Sequence, residues 1–183
     1  MSGAGLSKEL ILKTLQELSD ALKKRGVTGE ICLFGGTVMV LAYAARVSTK
    51  DVDAIFQPTK LMREVADEVG KANNLSADWL NDGVKGFVSA KHELMQGNLP
   101  QFSNLRLTMP TPEYLLAMKC MASRIDPVQS EDGDVRDIIF LIRHLGLKSA
   151  AAVMGIVAEY YPASQIPIKA QYLVESLFEE GKI

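Results

Sequence analysis

The sequence predicts an α+β chain with an α/β opening, in which a small sheet domain is continued by a helical subdomain. Two observations lead there. Short apolar runs of strand length alternate with amphipathic helical stretches up to about residue 110, whereas every periodic segment after it has helical spacing. The segment Ile31-Cys32-Leu33-Phe34-Gly35-Gly36-Thr37 also reads as strand, glycine turn and helix start. It is followed by a second strand, Asp51-Val52-Asp53-Ala54-Ile55-Phe56.

Taken in order, residues 7–24 form a helix with Ile11, Leu15, Leu18 and Leu22 on one stripe, closed by Gly26. A strand over 30–34, the glycine turn, a helix over 37–45 and a strand over 51–56 follow. Pro58 introduces a helix whose buried face carries Met62, Val65, Ala66 and Val69. Two further strands are predicted at 86–90 and 105–108, separated by a turn-rich stretch with Gly97 and Pro100. Thr111-Pro112-Glu113 is a helix start, with a capping hydroxyl, proline at the first helical position and an acid in the first turn. Helices are then expected over 112–124, 134–144, 149–160 and 169–179. No internal repeat, low-complexity tract or flexible linker interrupts them.

The 183 residues suffice for one domain with a helical extension, and 48% hydrophobic with 23% charged residues is ordinary for a globular chain. A formal charge of −2 lacks the basic excess of a general nucleic-acid-binding surface. The apolar stretch 31–45 is broken by Gly35-Gly36, so no membrane span is expected, and with no leader pattern the expected compartment is the cytoplasm. Cys32 and Cys120 lie in apolar surroundings and read as buried thiols. Two cysteines and two histidines make a zinc site of the usual kind a poor expectation.

Asp51 and Asp53 carry the chemistry. On an extended segment, residues two apart share a face, so the two carboxylates converge while Val52 and Ala54 point away. Such a pair is tolerated when a divalent cation lies between its members, and carboxylate oxygens suit Mg²⁺, which shares its shell with nucleotide phosphates. Gly35 and Gly36 let a ligand approach the backbone at a helix start, where phosphate binds readily. The Thr37 hydroxyl caps that helix or touches a phosphate oxygen, and Arg46 holds the loop or meets the nucleotide.

Phe34-Gly35-Gly36-Thr37, Asp51-Val52-Asp53, Tyr114-Leu115-Leu116-Ala117-Met118-Lys119 and Asp134-Val135-Arg136-Asp137-Ile138, in that order, resemble the nucleotidyltransferase superfamily that includes DNA polymerase β. Within it they look most like bacterial abortive-infection and toxin–antitoxin nucleotidyltransferases and their stand-alone relatives. The resemblance covers roughly residues 33–145 and extends toward the helical tail. It implies a small mixed sheet flanked by helices as the nucleotidyltransferase core over 1–110, with a helical subdomain over 111–183 packed on that core. It further implies that Gly35, Gly36 and Thr37 grip a triphosphate and that Asp51 and Asp53 bind two Mg²⁺ ions. Lys119 matches a lysine that meets phosphate charge, and Asp134 or Asp137 matches an acid near the active site. The family pattern also has a third carboxylate on a neighbouring strand. The strand Asn104-Leu105-Arg106-Leu107-Thr108 offers none, which leaves Asp82, Glu93 or Asp134 as substitutes.

Plainer readings stand beside these. Lys119 also reads as a surface lysine, Asp134 as a helix cap and Asp137 as a first-turn acid. His92 is expected to be exposed, His144 to complement a helix end, and Trp79, Tyr160 and Tyr161 to be packing residues. The run Glu131-Asp132-Gly133-Asp134 lacks the ligand spacing of a calcium loop. The function expected is therefore a cytoplasmic Mg²⁺-dependent nucleotidyltransferase. It would move a nucleoside monophosphate from an NTP to a tRNA end, a protein side chain or a small molecule, with an antitoxin-like partner if it is toxin-like. The alternatives are a nucleotide- or partner-binding module of the same fold with weak or no turnover, and a purely structural interaction protein.

Overall fold

The computed structural model describes residues 5–123 and 133–183. The fold is α+β: among the described residues there are seven α-helices, a five-stranded mixed sheet and a two-stranded ribbon. The chain divides into two compact units, Met1–Gly86 with Leu94–Met109, and Phe87–Glu93 with Pro110–Ile183. The stretch Phe87–Glu93 thus belongs with the helices, although its sequence neighbours on both sides belong to the sheet unit.

The sheet unit begins with β1 (Leu6–Ser7) and α1 (Lys8–Lys24). The Ser7 side chain accepts from the Leu10 N–H at 3.3 Å, and Ile11, Leu15, Leu18 and Leu22 are all fully buried, as the stripe requires. Next come β2 (Gly29–Leu33), α2 (Gly35–Leu41), β3 (Ser48–Thr49), β4 (Val52–Gln57) and α3 (Thr59–Ala72). The unit is completed by β5 (Leu80–Asn81), a 3₁₀ turn (Gly83–Phe87), β6 (Leu94–Met95) and most of β7 (Leu105–Pro110). Strand order is β5-β4-β2-β7-β6. β2 runs antiparallel to β4, with Leu33 opposite Ala54, and parallel to β7, while β4 runs parallel to β5 with Asp53 beside Asn81. β1 and β3 pair separately. Along β4, Val52, Ala54 and Phe56 are buried, so Asp53 lies on the other face.

In the helical unit, α4 (Pro112–Ala122) is the hub and contacts α5 (Gly133–His144), α6 (Ala150–Tyr160) and α7 (Ile168–Glu179). Its start follows the sequence signals: the Thr111 hydroxyl accepts from the Tyr114 N–H at 3.4 Å, with Pro112 at the first helical position. Residues 114–120 are all buried. The Phe87–Glu93 strap grips these helices through polar atoms. The Ser89 N–H donates to the Tyr114 hydroxyl at 2.9 Å and the Ser89 hydroxyl donates to the Tyr160 carbonyl. The Tyr161 hydroxyl donates to the Phe87 carbonyl at 2.5 Å.

The structure departs from the expected elements at several places. No strand forms over 86–90, because the buried residue there is Ser89 while Phe87 is 40% exposed, the reverse of an apolar alternation. α2 starts at Gly35 and ends at Leu41, so the glycines open the helix instead of preceding it; Ala44 then takes a φ of +50°, which no helix continues through. Asp51 lies one residue before β4. The four two-residue strands β1, β3, β5 and β6 are too short to carry a periodic signal. Arg124 at the end of the expected 112–124 helix, and Glu131 and Asp132 of the calcium-loop comparison, lie outside the described residues. Cys32 and Cys120 are free and buried, Trp79 is buried with its Nε1 donating to the Ala66 carbonyl at 2.9 Å, and Tyr160 and Tyr161 are buried.

Candidate functional site

At the end of β2 the Phe34 N–H donates to the Asp53 carbonyl at 2.9 Å, the last antiparallel bond before the chain turns into α2. Gly35 then adopts a φ of +57°, a conformation that a side chain strains. A Cβ there would lie 2.9 Å from Asp53 Oδ2, so the carboxylate rests directly over the bare Cα. At Gly36 a Cβ would overlap the Thr49 hydroxyl and lie 3.3 Å from Arg46 Nη1. The backbone of the glycine pair is therefore flanked by an acid on one side and by a guanidinium and a hydroxyl on the other.

Asp51 is half-buried, and its Oδ2 accepts from Asn81 Nδ2 at 3.3 Å. Burial, then the negative charges of Asp53 and Asp78, push its carboxyl above the ordinary range, against the opposing effects of the Asn81 amide and Lys50. Thr37 is fully buried, and its hydroxyl donates to the Asp51 carbonyl at 3.2 Å. This corrects the capping role expected of Thr37: its side chain makes no capping bond, and its hydroxyl is turned to the Asp51 carbonyl. It ties the start of α2 to the loop that presents Asp51.

The sheet unit thus brings together Gly35, Gly36, Arg46, Asp51 and Asp53. Lys119 and Asp134 belong to the helical unit, where they meet each other. Lys119 is only 7% exposed, so the surface-lysine reading fails. Its Nζ lies 2.6 Å from Asp137 Oδ2 and 3.3 Å from Asp134 Oδ1, with Asp137 only 2% exposed. The ammonium on α4 is clasped by two α5 carboxylates one turn apart. Asp82 is engaged by Arg63 at 2.7 Å and Lys85 at 2.5 Å, which hold its carboxyl below the usual range. Glu93 accepts from the Tyr160 hydroxyl at 2.5 Å and pairs with Lys91 at 3.3 Å in the helical unit. His92 is exposed but its Nδ1 reaches the Tyr114 hydroxyl at 3.1 Å, and exposed His144 stacks on Phe140 in the last turn of α5.

Among the described residues no group of three His, Cys, Asp or Glu side chains could hold a metal ion. The acids of the site are a pair, and a pair suits Mg²⁺, which needs one or two carboxylates and takes its remaining ligands from water and phosphate. The disfavoured charge of Asp51 beside Asp53 and the carboxylate seated over Gly35 fit such an ion. Asn81 and Thr49 carried no sequence signal as site residues. Among the described residues no helix is long and apolar enough to cross a membrane. No family model, curated protein or solved structure matches the chain.

Proposed function

We propose that the sheet unit houses a Mg²⁺-dependent nucleotidyltransferase centre that passes a nucleoside monophosphate from an NTP to a hydroxyl-bearing acceptor. The observation that carries this reading is the bare Gly35-Gly36 backbone, set between the Asp53 carboxylate and the Arg46 guanidinium with Asp51 alongside. Bound Mg²⁺ would polarise the phosphoryl oxygens, ease deprotonation of the attacking hydroxyl and neutralise the departing pyrophosphate. Asp51, in the bend before β4, and Asp53 on β4 would hold the cations. Gly35 and Gly36 let Asp53, Thr49 and Arg46 close on the backbone at the start of α2, and Arg46 supplies positive charge there for a phosphate. Thr37 fixes the loop carrying Asp51. Lys119 and Asp134, paired within the helical unit, are assigned to joining α4 and α5. Toxin-like activity on a tRNA end, a protein or a small molecule, with an antitoxin-like partner, goes with this reading through the family resemblance alone.

One observation favours a second reading, a nucleotide-binding module with little turnover. Asp82, next to β5, is tied to Arg63 and Lys85, and among the described residues no third carboxylate joins the pair in a group that could hold a metal ion. Incubation with each α-labelled NTP and Mg²⁺ over RNA, protein and small-molecule acceptors separates the two. Label transfer abolished by Asp51→Ala/Asp53→Ala supports the enzyme. Mg²⁺-dependent NTP binding without pyrophosphate release supports the module, and equal transfer by the double variant refutes the assignment of the site.

A further inference from the structure

The parallel register of β4 and β5 sets Asn81 beside Asp53, and cross-strand neighbours in register present their side chains on the same face. Asp51, in the bend before β4, reaches the same amide and feels the charge of Asp53. Asn81 is therefore the third side chain of the cluster, and it is neutral. Its amide is held at both ends: Oδ1 accepts from the Gly83 N–H at 3.1 Å, and Nδ2 donates to Asp51 Oδ2 at 3.3 Å. One amide orientation satisfies both bonds, because only the nitrogen can donate to a carboxylate and only the oxygen can accept from an N–H. The Gly83 turn thus sets the amide, and the amide in turn sets one oxygen of Asp51.

We infer that Asn81 is a positioning residue for a divalent cation at Asp51 and Asp53, orienting Asp51 without adding to the negative charge that Asp53 and Asp78 already set against it. This rests on the reading of that pair as a cation site. A carboxylate at position 81 would lose the donor to Asp51 and add another like charge to those of Asp53 and Asp78. In the absence of a cation that arrangement is costly, and in its presence it supplies another ligand. The amide trades that extra ligand for a cluster that tolerates being empty. Such a site holds a cation weakly by itself and more tightly once nucleotide phosphates complete the shell.

The test is Mn²⁺ titration of the full chain by calorimetry, with thermal melts of every protein in the presence and absence of Mn²⁺. The parent, Asn81→Leu, Asn81→Asp and Asp51→Ala/Asp53→Ala are compared. Asn81→Leu is expected to weaken Mn²⁺ binding by about tenfold or more, the usual effect of losing a partner that orients a ligand. Asn81→Asp is expected to melt lower than the parent without metal, to bind Mn²⁺ more tightly, and to gain more melting temperature from it. Parent-like Mn²⁺ affinity in Asn81→Leu overturns the inference. If that variant does not fold, parent-like or weaker affinity in Asn81→Asp overturns it equally. Failure of the underlying reading looks different: the parent itself then binds no Mn²⁺ that the double alanine variant loses, and the inference falls with it.

Discussion

Replacing Lys119 by methionine tests the buried ion group of the helical unit. Lys119 and Asp137 are 7% and 2% exposed and stand 2.6 Å apart, so the substitution takes an ammonium away from direct contact with a buried carboxylate. Breaking a buried pair from one side costs about 3–5 kcal/mol. Asp134 is 45% exposed and 3.3 Å away, and contributes little beside that. At roughly 2–4 °C per kcal/mol for a chain of this size, the melting temperature should fall by roughly 6–20 °C. Methionine keeps most of the lysine's apolar volume, so a cavity does not explain the loss. Replacing both partners, Lys119→Met/Asp137→Leu, removes both charges together and should return stability to within about 1 kcal/mol of the parent. Urea unfolding followed by circular dichroism on the four proteins of the cycle reads the coupling directly. A single variant as stable as the parent, or a double variant as unstable as the single, would refute the assignment of this group to stability.

Three further outcomes follow from the geometry. Gly35→Ala forces a side chain into the left-handed region beside Asp53 Oδ2, and should cost roughly 1–2 kcal/mol in urea unfolding while weakening Mn²⁺ binding in calorimetry. Thr37→Val removes the donor to the Asp51 carbonyl with little change of shape, so a loss of about 1 kcal/mol is expected, together with slower label transfer if the proposed activity holds. Burial pushes the Cys32 thiol up to about 11 and the Cys120 thiol up to about 12, from an ordinary 9.0. Both should therefore resist iodoacetamide at pH 8 until urea unfolds the chain, as read by mass spectrometry. Above the unfolded thiol value the unfolded chain binds fewer protons than the folded one, so this contribution to stability is full below about pH 9 and lost as pH rises toward 11. Urea midpoints across that interval check the sign.

The elements that sequence reading found are those whose cause is local. The α1 stripe of Ile11, Leu15, Leu18 and Leu22 is fully buried, and the Thr111 cap with Pro112 opens α4 where the signals stand. The glycine pair, Arg46 and the two aspartates could be placed near one another because a single hairpin-like passage, β2 to α2 to β4, carries all of them. What was not legible depends on partners far along the chain. Asn81 sits in a two-residue strand, and its importance comes from register with β4. Asp82 looks available in sequence and is claimed by Arg63 from α3. Thr37 reads as a cap and turns inward to Asp51, because burial decides where its hydroxyl points. Residues 86–90 have the composition of a strand, yet they follow the polar bonds of Ser89 onto α4 and α6.

That strap has a consequence for the connectivity of the whole chain. The backbone leaves the sheet unit after Gly86, returns at Leu94, and leaves again after Met109. No single cut separates the two units. A boundary at residue 110 yields one piece carrying Phe87–Glu93 without the helices it grips, and another in which Tyr114 and Tyr160 have lost Ser89. The helical unit therefore cannot be treated as a detachable appendix to a finished core. Part of its framework is already laid down while the sheet is still being threaded, so insertions, deletions and swaps have to respect both units at once.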